Sequence, residues 1–138
     1  MKAMLRVFAV LALIALAVPA SHAQTITGAQ AQKSPQADAF LAYETALIAG
    51  GLNTARQYMT PEKLEELNSM VKNWGEEGFQ QFLGRMRSGA QGEARRKQIE
   101  KVDVKGDYAL LEARDSPNVV TVQHLARTRD GWKVDVRR

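Results

Sequence analysis

Hydrophobic positions along this chain change their spacing once, near Gly89. Before that point they recur every three or four residues, as on one face of a helix. After it they alternate, as in a strand with one buried side. Ser34-Pro35 predicts the start of a first helix, since a hydroxyl can cap free backbone N–H groups and proline suits the first helical position. Gly50-Gly51 should stop that helix after Ala49. Asn53 then caps a shorter helix through Met59, and Thr60-Pro61 repeats the start signal. On the third helix Leu64, Leu67, Met70, Val71 and Trp74 share one arc, and Gly75 ends it. Phe79, Phe82, Leu83 and Met86 mark a short fourth helix that Gly89 closes. Gln91 to Arg96 is polar and reads as a link.

Four alternating runs follow: Lys97 to Val104, Tyr108 to Arg114, Asn118 to Thr128 and Trp132 to Arg137. Their connections, Lys105-Gly106-Asp107, Asp115-Ser116-Pro117 and Arg129-Asp130-Gly131, are short enough for hairpins. Helices followed by a four-stranded antiparallel meander make an α+β arrangement with the helices on one face of the sheet. In the last hairpin, a loop of Asp130-Gly131 alone would set Arg127 against Val134 and place two arginines on the core face, which is costly. A three-residue loop, Arg129-Asp130-Gly131, instead pairs Thr128 with Trp132, Ala126 with Val134 and His124 with Val136. That register is the expected one. It turns Val120, Val122 and His124 toward the core.

The N-terminus changes the picture of where the protein works. Lys2 and Arg6 precede an apolar run of 12 residues, Val7 to Val18, which is short for a bilayer span. Pro19 and Ser21-His22-Ala23 complete the pattern of a secretory signal peptide cut between Ala23 and Gln24, implying a periplasmic or secreted protein with no transmembrane segment after cleavage. Gln24 to Lys33 is polar and unpatterned, and reads as a flexible leader to a single domain over residues 34–138. The chain has no cysteine, which excludes disulfides, thiolate metal sites and a lipid anchor on cysteine. Its formal charge of +4 includes Lys2 and Arg6, so much of the case for nucleic-acid binding leaves with the signal peptide.

The arrangement resembles the nuclear-transport-factor-2-like superfamily, in particular its small exported bacterial domains. The likeness is carried by Phe40 to Gly51 (FLAYETALIAGG), Ala55 to Leu67 (ARQYMTPEKLEEL), Val102 to Ala109 (VDVKGDYA) and the closing Asp130 to Val136 (DGWKVDV). It spans nearly all of Ser34 to Arg138, as a pattern of apolar positions and turns with no catalytic fingerprint. The resemblance implies a cone-shaped fold, with the helices on a curved sheet. It also implies either an enzyme of the isomerase or cyclase kind or a binding or dimerisation module, and fold alone does not choose between them.

Glu44 stands out on the first helix. Its helical neighbours Phe40, Leu41, Leu47 and Ile48 are all apolar, and an unpaired carboxylate there is expensive to bury. Two readings stand: a general acid or base inside the cone, or a carboxylate that reaches water or a sheet arginine. His124, the one histidine after the signal peptide, is the candidate proton shuttle beside it, or a core imidazole bonded to backbone or tyrosine. Tyr43 is a third catalytic candidate. Tyr43, Tyr58 and Tyr108 are also candidate donors to a ligand carbonyl, a role a tyrosine has in the isomerase relatives. Trp74 and Trp132 either flank a ligand cavity or fill it. Arg85-Met86-Arg87 and Arg95-Arg96-Lys97 form a basic surface, interleaved with Glu93 and Glu100.

No metal, nucleophile-elbow or phosphate-loop spacing occurs, and no cofactor is implied. The expected function is a non-catalytic binding domain for an envelope protein or a small hydrophobic ligand, with a homodimer left open. The alternatives are a small isomerase, dehydratase or cyclase using Glu44 and His124, and an immunity or inhibitor protein.

Overall fold

The structure is a computed structural model that describes residues 23–138. The expected signal peptide, apart from Ala23, lies outside the described residues. The order of elements is β1 (Gln24–Thr27), α1 (Gly28–Gln32), α2 (Pro35–Ala55), a 3-10 turn (Arg56–Tyr58), α3 (Pro61–Ser88), α4 (Gly92–Lys97), β2 (Ile99–Lys105), β3 (Tyr108–Ser116), β4 (Val119–Thr128) and β5 (Gly131–Asp135). The sheet is an antiparallel meander in the order β1-β2-β3-β4-β5. The fold is thus α+β, with helices ahead of the main run of strands, but the sheet has five strands where the alternation predicts four.

The extra strand comes from the stretch expected as a leader. Gln24 to Thr27 pairs with β2, Ile26 opposite Val102, and the Thr25 hydroxyl donates to Asp103 at 2.7 Å. Ala31 of α1 is fully buried. A four-residue edge strand with one half-buried apolar side chain, Ile26, carries too little alternation to stand out from polar sequence.

Both serine/threonine-proline signals cap helices. Ser34 accepts from the Ala37 N–H at 3.1 Å and donates to the Ala31 carbonyl at 2.7 Å, joining α1 to α2. Thr60 accepts from the Lys63 N–H at 3.3 Å and donates to Asp135 at 2.7 Å, joining α3 to β5. Gly51 and Gly75 end helical runs as expected, each dividing α2 or α3 into two limbs at a kink. Both sit at positive φ, 70° and 76°, where an L side chain is strained. The polar link expected over Gln91 to Arg96 is the helix α4.

One face of the sheet carries the core. Ile99, Val102, Leu111, Leu125 and Val134 are each at most 1% exposed and pack with Phe40 and Leu47 of α2, Leu67 and Leu83 of α3, and their neighbours. Among the described residues no helix is long and apolar enough to cross a membrane.

The last hairpin takes neither register weighed from the sequence. Thr128 pairs with Gly131, Arg127 with Trp132 and Leu125 with Val134, around the two-residue loop Arg129-Asp130. The Thr128 hydroxyl accepts from the Asp130 N–H at 3.2 Å and donates to the Gly131 carbonyl at 2.8 Å, which ties the turn. The face that takes Leu125 also takes Arg127, and the cost expected for a buried arginine does not arise. Its guanidinium stays exposed at the hairpin end and lies 5.0 Å from the centre of the Trp132 ring. Val120 and Val122, expected inward, lie on the opposite face and are 40% and 50% exposed. His124 goes with them.

Asp135 is 1% exposed and accepts from Thr60 and Arg138. Burial opposes its charge, but the hydrogen bonds from Arg138, Thr60 and the Val136 backbone outweigh burial and hold the carboxyl below its ordinary 3.8. A depressed carboxylate adds stability that is complete above 3.8 and lost as the pH falls through its folded value. Asp135→Asn should therefore melt below wild type at neutral pH, with the gap closing in acid. A gap independent of pH would contradict this account. Thr60→Ala removes both the cap and the Asp135 contact, and should cost about 1–2 kcal/mol in thermal or urea unfolding.

Candidate functional site

A cavity of about 430 Å³ opens between α2, α3, the segment leading into α4 and the far ends of β3 and β4. Its apolar wall is Leu41 and Ile48 from α2 and Leu67, Met70, Phe82 and Met86 from α3. Helical spacing puts each set on one face, and the break at Gly75 lets both limbs of α3 contribute. The opposite wall is polar: Thr121 and Gln123 of β4, Asp115 of β3, Gln98, Arg95 of α4 and Glu44 of α2.

Arg95 organises that polar corner. Its guanidinium grips Glu44 with two bonds, Nε to Oε1 at 2.9 Å and Nη2 to Oε2 at 3.2 Å. Nη1 donates to Gln98 at 2.8 Å and also to Asp115. The other Asp115 oxygen accepts from the Thr121 hydroxyl. The same guanidinium sits 5.3 Å from the centre of the Phe40 ring. Arg95 is 8% exposed. Burial works against its charge, yet the bonds to Glu44 and Asp115 and their fields prevail and raise its pKa. Glu44 therefore meets the need its apolar surroundings created by pairing with a cation, and that cation comes from a helix instead of the sheet.

Tyr43 lines the same cavity and is 5% exposed. Burial first, then the negative charges of Glu44 and Glu66, push its hydroxyl well above the ordinary 10.0, so it stays protonated. No hydrogen bond of that hydroxyl occurs among the described residues.

The other candidates lie elsewhere. His124 is half-buried on β4 opposite Asp135 and Leu110, between Gln123 and Leu125, which face the cavity and the core. It is on the wrong side of the sheet to pair with Glu44. Trp74 is 51% exposed, edge-on to Phe82 with ring centres 6.0 Å apart. Tyr108 is 49% exposed beneath the Arg138 guanidinium. Trp132 is half-buried under Arg127, and Tyr58 lines a separate, more open hollow between α2 and α4. None of these four lines the cavity that holds Glu44 and Arg95. The basic surface is also partly neutralised: Arg96 bonds Asp38 at 2.8 Å and the Gln32 carbonyl at 2.7 Å, while Arg95 is buried.

Sequence reasoning missed Arg95 and Asp115. For Asp115 a signal existed, because Ala109, Leu111, Ala113 and Asp115 continue one alternation into what was read as a turn. For Arg95 none did. Only the phase of α4 separates it from Arg96, and a stretch read as a link has no phase.

Glu44→Gln and Arg95→Met should each lower stability clearly, Arg95→Met by about 3 kcal/mol because it leaves two carboxylates without their cation. The double variant should lose much less than the sum, with a coupling above about 1 kcal/mol in urea unfolding. Additive losses would mean the pair is not a unit. Comparison of the chain with family models, with curated proteins and with solved structures gives no match, so the reading of the cavity rests on its own geometry.

Proposed function

We propose that this chain is an exported, non-catalytic binding domain that holds a small, largely apolar ligand in the cavity between α2, α3 and the sheet. The cavity carries this reading. It offers about 430 Å³, within the ordinary range for small-molecule sites, with one apolar wall and one polar corner. An acid–base mechanism finds less support. Both Glu44 oxygens are engaged by Arg95, and His124 lies across the sheet.

The likeness to the nuclear-transport-factor-2-like superfamily belongs to this proposal. The helices-then-meander order and the hollow between them support it, as does the existence of non-catalytic binders of that cone shape. Export is proposed from the pattern of Met1 to Ala23. Strand β1 begins at Gln24, so the expected cut leaves it complete. A partner protein is the second reading, favoured by Tyr108, Val120 and Val122, which are exposed on the sheet face away from the core, with Val119 exposed at the start of β4.

Native mass spectrometry of the protein, expressed with its full N-terminus and released gently from the periplasm, tests both parts. The chain should begin at Gln24 and carry a small-molecule adduct. Met70→Trp, which fills the cavity with an indole, should fold and lose that adduct. A bare protein, or an adduct that survives Met70→Trp, would sink the cavity reading. A co-purifying protein or bare homodimer would favour the sheet surface.

A further inference from the structure

Resting on the cavity reading above, the geometry points to a ligand class: we propose that the polar corner receives the cationic nitrogen of an amphiphilic amine, whose apolar body lies along Leu41, Ile48, Met70, Phe82 and Met86.

Two carboxylates share one guanidinium there, so one negative charge is left uncompensated. Arg95 has little to offer an incoming anion, since Nε, Nη1 and Nη2 all donate to protein acceptors. The carboxylates are in the opposite position. Each ionised carboxylate has roughly four lone-pair sites, and Glu44 and Asp115 each accept from a guanidinium or hydroxyl through two of them. What the corner holds in reserve is acceptor capacity and negative charge.

Tyr43 is a second and independent sign. Its side chain is 5% exposed, lines the cavity, and leaves its hydroxyl without a partner among the described residues. That oxygen is not among the buried unpartnered side-chain atoms, so it is accessible and free to meet a ligand or water. The field of Glu44 and Glu66 that helps keep Tyr43 protonated also favours a cation beside it. Of the other cations along the cavity, Lys63 pairs with Glu66 at 2.6 Å, and Arg85 lies on the exposed side of α3 with no hydrogen bond to Glu44 or Asp115. A carboxylate ligand would face two like charges across an arginine already engaged.

Titration calorimetry of the mature protein with decylamine, decanol and decanoate, each below its micellar concentration, separates the ideas. Decylamine should bind at least about tenfold tighter than decanol, and decanoate most weakly. Glu44→Gln and Asp115→Asn should each shrink the preference for decylamine over decanol, read as the ratio within each variant, and a cooperative thermal transition by circular dichroism shows that the variants are folded. Tyr43→Phe should weaken decylamine more than decanol. If decanoate binds best, or all three bind alike, the cationic class is wrong and the cavity reading stands. If none binds, the cavity reading itself fails.

Discussion

A guanidinium taken out of water must be met by carboxylates, and the Arg95 cluster shows how much structure can follow from that one requirement. Glu44 reaches it from α2, Asp115 from the end of β3, and Gln98 from the turn between α4 and β2. Three parts of the chain, separated by about fifty residues on one side and twenty on the other, are thus fixed at one point. The cavity exists because these elements meet through long polar side chains at one end and through apolar packing at the other. Phe40, Leu47 and Leu111 close the middle of the domain. Where the packing gives way to the ion cluster, the walls stand apart.

A buried ion group of this kind is weak evidence for net stability, because apolar side chains of similar size often serve as well. It does impose geometry. Bidentate Arg–carboxylate bonds set both distance and plane, so the polar wall is held in one arrangement before any ligand arrives. That preorganisation agrees with the proposed binding role, since a general base would need a carboxylate oxygen free to exchange a proton and both Glu44 oxygens are engaged.

Much of the fold was legible from local rules. Ser34-Pro35 and Thr60-Pro61 begin α2 and α3, Gly51 and Gly75 interrupt them, and β2 to β5 follow the alternating runs. What failed has a common cause: the decisive partner was distant in sequence. β1 acquires meaning only beside β2. The hairpin register depended on Arg127 finding the Trp132 ring at an open edge, where burial cost does not apply. Of the candidate residues, Glu44 and Tyr43 do line the cavity, since a helix face is a local property. His124, Trp74 and Tyr108 were misplaced because their positions depend on strand register or on how far the core extends.

The pairing of β1 with β2 has a further consequence in time. Thr25 and Asp103 meet across 78 positions, so the first strand to leave the ribosome cannot pair until most of the chain has been made. The sheet is closed on that side by its oldest strand and the next strand made, with all the helices between them. No strand lies between Thr27 and Ile99, so this edge of the sheet stays open through synthesis of the helices and closes only once β2 has been made.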